Sequence, residues 1–166
     1  MVRLIFSLQL KKILTSDRHS VESGGSNSKP HVITKSASDE ILALFERSKG
    51  WDGRHRQIML LSKQLDPMPD ENKNDNSLIK GCESLAWLTC SKDPHGYFSF
   101  QAYSDAKVIR GLMVIILAAV NLKNSQQIAE FDLESYFEKM GLIKHLSPSR
   151  GNGVRAIIER IKLITQ

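Results

Sequence analysis

Cysteine is scarce in this chain: Cys82 and Cys90 are its only two in 166 residues. There is no CxxC pair and no closely spaced His/Cys set, so the usual zinc-site patterns are absent. A disulfide is excluded by reach. With residues 83 to 90 extended at ~3.3 Å per residue, the two positions stand roughly 26 Å apart, against about 7 Å between Cα atoms for a bridge. Two free thiols imply a reducing compartment, and a cytoplasmic protein is expected. Long hydrophobic runs are missing too. The longest outside the N-terminus, GLMVIILAAV at 111–120, is about half of the ~20 residues a membrane-spanning helix needs. MVRLIFSLQL lacks a small-residue cleavage site, which argues against a secretory signal. No phosphate-binding glycine loop occurs either.

Charge of one sign is less abundant than the total suggests. Residues 1–35 hold six Lys/Arg against two acids, leaving 17 basic and 16 acidic residues for the remainder. Most of the net charge of +5 therefore sits in the tail, the body is nearly neutral, and no nucleic-acid face is expected. Residues 1–35, with the run SVESGGSNSKP, read as a flexible tail. Residues 36–166 are long enough for one globular domain.

That domain reads as α+β. Ser38, Asp39 and Glu40 cap a helix carrying Ile41, Leu44 and Phe45, with Gly50 as its stop. A second helix spans Asp52 to Leu65 with Ile58, Leu61 and Leu65 inward, before the breaker DPMPDENKND. ESLAWLTC (83–90) and YFSFQAY (97–103) flank Pro94, His95 and Gly96 as a β-hairpin, and SLIK offers a third short strand. Ser104 and Asp105 introduce a helix to Val120 that is apolar on nearly every face, which suits a buried central helix. Asp132 caps a helix with Leu133, Tyr136, Phe137 and Met140 inside, ended by Gly141. Ser147 and Pro148 start a last helix holding Val154, Ile157, Ile158 and Ile161. The expected architecture is several helices packed on one small antiparallel sheet.

The cysteines sit in different settings. Cys90 ends a strand and reads as a small hydrophobe near the sheet edge. Cys82 follows Gly81 and precedes Glu83 at a loop tip, where burial alone does not call for sulfur. Position alone leaves a reactive thiol and an inert one both open.

The runs IKGCESLAW, YSDAKVIRGLMVIILAAV and DLESYFEKMGLIKHLSPSRGNGVRAIIERIK, in this order and spacing, resemble the SufE family of sulfur-acceptor proteins, including its CsdE branch. The similarity covers residues 38–166. Its most specific pieces are the GC pair with Trp87 five residues on, SDA-x-x-x-x-G-L, and LSPSR. It implies that the small antiparallel sheet is curved. It also implies that Cys82 accepts a sulfane sulfur from a pyridoxal-phosphate cysteine desulfurase (SufS- or CsdA-like) and delivers it to a downstream acceptor or scaffold. The pyridoxal phosphate belongs to the partner, so no cofactor and no metal are expected in this chain. Gly81, Glu83, Trp87, Asp105 and Arg150 become candidate loop and partner-docking residues, with Leu85 and Trp87 as apolar neighbours of the thiol. Each has a plainer reading: core for Leu85 and Trp87, helix-start acid for Asp105, solvated cation for Arg150. His95 and His145 read as surface or loop residues. A cluster scaffold or a thiol redox protein is the alternative class, although a scaffold needs about three ligands and the loop offers one cysteine. The chain departs from the family pattern at Gly53 and His55 after Trp51, and at Asp66.

Overall fold

The computed structural model describes residues 36–166; the tail and apolar patch assigned to 1–35 lie outside the described residues. The chain runs α1 (Ala37–Glu46), α2 (Gly50–Ser62), a 3-10 turn (Asp70–Asn72), β1 (Ala86–Lys92), β2 (Phe98–Ser104), α3 (Lys107–Val120), α4 (Ser125–Glu130), α5 (Leu133–Lys139), a second 3-10 turn (Ile143–His145) and α6 (Pro148–Thr165). This is the expected α+β class, with helices packed on a two-stranded antiparallel sheet.

α3 is the centre. Eleven of its fourteen residues are buried, and each fully buried Leu, Ile or Met contributes about 1.5–3 kcal/mol. α1, α2, α6 and β2 pack around it. The closest approach is at Gly111, where an added Cβ would collide with the Ile58 carbonyl and come 2.6 Å from its Cγ2. α2 and α3 can lie together only because no side chain stands there.

The hairpin pairs Ala86 with Ser104 through Lys92 with Phe98. Its turn is held by Asp93, whose carboxylate accepts from the His95 and Tyr97 amides at 2.9 Å. Both sheet edges are covered. On the β1 side, SLIK forms one bridge, Leu78 with Trp87, in place of a full strand. On the β2 side, Asn121 acts as a surrogate strand, its Oδ1 accepting from the Phe100 amide at 2.7 Å and its amide donating to the Phe100 carbonyl at 3.4 Å. This satisfies backbone groups that an edge leaves exposed.

Element ends differ from expectation where side-chain caps decide them. The first cap is Ser36, which accepts from the Asp39 amide at 3.2 Å while Asp39 accepts from the Ser36 amide at 3.3 Å. Ser38 is buried inside α1. Gly50 opens α2 with φ +64 and does not end α1, which stops at Glu46. α2 stops at Ser62, three residues before Leu65. Ser104 ends β2, and α3 begins at Lys107 after an Ala106 that makes no side-chain cap. α4 was not expected; its capping box joins Asn124 and Gln127. The caps at Asp132 and Ser147, and Pro148 at the start of α6, stand as expected. Trp51 stacks on His145, ring centroids 5.0 Å apart, with His55 at 5.9 Å on Trp51. The departure at His55 thus joins a ring cluster that steadies the approach to α6.

Gly111→Ala should lower unfolding stability by about 1–3 kcal/mol from overpacking. Gly151→Ala, in open space on α6, should instead gain up to about 1 kcal/mol from helix propensity. Urea denaturation of both variants checks the pair.

Candidate functional site

The segment between SLIK and β1 is a closed loop. The Ile79 amide donates to the Ala86 carbonyl at 2.8 Å, and the Leu88 amide to the Ser77 carbonyl at 2.8 Å, shutting residues 80–85 at their base. Gly81 has φ +90, a conformation that glycine adopts without steric cost. Two further ties hold the loop. The Leu85 carbonyl accepts from the Ser104 hydroxyl at 2.7 Å and the Asp105 amide at 3.2 Å. The Ser149 hydroxyl donates to Glu83 Oε2 at 2.6 Å, joining the loop to the first turn of α6. Cys82 lies between these ties, half-buried.

Its thiol borders a cleft of about 480 Å³ lined by Cys82, Glu83, Lys107, Ile109, Ser149 and Arg150, among others. Three expected site residues therefore meet: Cys82, Glu83 and Arg150. Arg150 comes to the cleft because Ser147 caps α6, accepting the Arg150 amide at 3.4 Å. Two other candidates stand elsewhere. Asp105 is exposed and is hydrogen-bonded to the loop through its backbone amide. Trp87 lies beyond the loop on β1, with Lys73 Nζ 5.8 Å from its ring centroid. Neither Leu85, which is 52% exposed, nor Trp87 lines the cleft. The wall is built by α3 and α6.

Sequence reasoning missed Ser149, Lys107, Ile109 and Gly153. Gly153 is buried in α6, and an added Cβ would stand 3.2 Å from Cys82 Sγ and 3.3 Å from Ile109 Cδ1. A glycine inside an otherwise good helical pattern is costly, and that was its only signal.

The second thiol is set apart. Cys90 lies within β1, and burial pushes its pKa up from the ordinary cysteine range. A higher pKa means less thiolate at neutral pH, hence a weaker nucleophile population. Among the described residues no group of three or more His, Cys, Asp or Glu side chains gathers in a metal-ligating arrangement.

The sequence profile of a family described as "SufE: Fe-S metabolism associated domain" matches residues 39–165. The chain belongs to the SufE family. Its role accordingly lies in iron–sulfur metabolism, where the SufE domain implies interaction with cysteine desulfurases. A structure described as the solution structure of a hypothetical protein from Thermus thermophilus superposes with a TM-score of 0.61, covering 76% of this chain and 91% of that one at 13% identity. At that identity the likeness speaks for the fold alone. No helix among the described residues is long and apolar enough to cross a membrane.

In a Cys82→Ser variant, alkylation of Cys90 should keep accelerating to a higher pH than for an ordinary cysteine thiol, because its thiolate forms later. A pH series of labelling rates read by mass spectrometry checks this; a midpoint at or below the free-cysteine value contradicts the burial effect.

Proposed function

We propose that this protein is a sulfur acceptor and carrier: Cys82 takes a sulfane sulfur from the persulfide of a pyridoxal-phosphate cysteine desulfurase, stimulates that enzyme, and passes the sulfur to a downstream acceptor or scaffold. The observation that carries the reading is the GC pair of a SufE-family chain at the tip of a loop fastened at its base and flank, with the thiol bordering an open cleft. The chemistry asks little beyond reach and ionisation. The Cys82 thiolate attacks the outer sulfur of the donor's Cys–S–SH; the Sγ–S bond forms, the donor's S–S bond breaks, and the donor cysteine departs as thiolate. One sulfur–sulfur bond replaces another, so no electron carrier is consumed.

Charge around the cleft suits anionic sulfur. Lys107 and Arg150 supply two cations on its lining, while the carboxylate of Glu83 is engaged by Ser149. Arg150 is then a docking residue for the desulfurase or a support for the loaded loop, and not a participant in the exchange. The chain needs no cofactor of its own for this step, and the reducing compartment that keeps both thiols free is the cytoplasm.

Release of sulfide or alanine from cysteine by a desulfurase tests the reading. The parent should stimulate the enzyme, Cys82→Ser should lose that stimulation, and Cys90→Ala should retain it. Equal loss in both variants would defeat the assignment.

Arg150→Ala should raise the acceptor concentration for half-maximal stimulation by about fivefold, the equivalent of ~1 kcal/mol at an interface. Stability should change by no more than ~0.5 kcal/mol. Unchanged stimulation at every concentration would leave Arg150 a solvated helix-start cation.

A further inference from the structure

The Cys82 thiol does not lie loosely over the cleft; it rests where α6 has no side chain. At Gly153 the distance from the Cβ position to Cys82 Sγ is 3.2 Å, and to Ile109 Cδ1 3.3 Å. Both are tighter than ordinary van der Waals contact, so the sulfur occupies part of the space that any other residue at 153 would need. The need for glycine is not conformational. Gly153 lies within the regular helix α6 and lacks the positive φ seen at Gly81 and Gly141. Gly151, two residues earlier, has nothing within 4 Å of its Cβ position, so the packing requirement is local to Gly153.

We infer that Gly153 is a positioning residue for the sulfur-accepting thiol: its missing side chain forms a notch between α6 and Ile109 that seats Cys82 Sγ. The inference rests on the sulfur-acceptor reading for its purpose, but the contact stands independently of it. Seated, the thiol has one side covered by α6 and Ile109 and presents the other to the cleft. A methyl group in the notch displaces the sulfur toward solvent, because the helix backbone beneath it cannot retreat while Val154 and Ile157 are held in the core. Gly153 thus sets how far the thiol stands out before any partner arrives.

The test uses the full chain carrying Cys90→Ala, so that Cys82 is the single thiol. Labelling by iodoacetamide at fixed pH should quicken roughly threefold or more in Gly153→Ala, because rate follows access and thiolate content. It should stay at the parent rate in Gly151→Ala. A Gly153→Ala rate equal to or slower than the parent's would overturn the notch. A double-mutant cycle gives a second readout with no reagent: Gly153→Ala should be more favourable to stability when Cys82 is alanine than when it is cysteine, since the displaced sulfur is gone. Identical effects in both backgrounds would also overturn it. With a cysteine desulfurase as sulfur donor, the maximal rate of sulfur acceptance should change while the half-saturating donor concentration stays constant, because Gly153 is buried beneath the thiol and not on the contact surface. Should the parent itself accept no sulfur, the function fails while the labelling and cycle results still decide the notch.

Discussion

Burial of α3 is the constraint on which the rest of the structure depends. A helix apolar on nearly every face has to be covered from several directions, and α2 reaches it at closest distance only through the bare backbone at Gly111. With α3 fixed, its first turn becomes a rigid wall that carries Lys107 and Ile109 to one side of the cysteine loop. α6, which also packs on α3, brings the opposite wall with Ser149, Arg150 and Gly153. The cleft is where two core helices meet a loop.

The loop itself balances constraint against freedom. Its base is shut by backbone hydrogen bonds, its far end by Ser104, and its flank by Glu83 with Ser149. Between those ties stand Gly81, with its left-handed conformation, and Cys82. The proposed transfer from a persulfide to a thiolate needs that thiolate delivered to another protein's cysteine without prior unfolding, and a short loop closed at its base meets that requirement at low entropic cost. The other thiol lies within a strand, where burial raises its pKa and so lowers its thiolate fraction.

Much of the architecture was legible because it rests on periodic or punctuated signals. The unbroken apolar run gave α3, Asp132 and Ser147–Pro148 gave α5 and α6, and alternation around Pro94–Gly96 gave the hairpin. Cys82 stood out at its loop tip, and the resemblance supplied its chemistry. The misses share a cause. α4 is six residues long with one buried side chain, Ile128, too short for periodicity to register. Ser36 and Ser38 are equivalent caps until the reciprocal bonds with Asp39 choose between them. The tie from Glu83 to Ser149 spans 66 residues, and the notch at Gly153 is a packing relation between a loop and a helix far apart in the chain. The resemblance offered Leu85 and Trp87 as company for the thiol, yet β1 carries Trp87 away from the cleft, while Leu85 is left exposed.

The central claim is that sulfur passes through this loop and through no other part of the molecule. Its most direct test is peptide mapping of the parent chain by mass spectrometry after incubation with a cysteine desulfurase and cysteine, with alkylation in the absence of reductant. One additional sulfur atom on the peptide bearing Cys82, and none on the peptide bearing Cys90, is the predicted result. Sulfur on Cys90, sulfur divided equally between the two, or no sulfur on either would contradict the account.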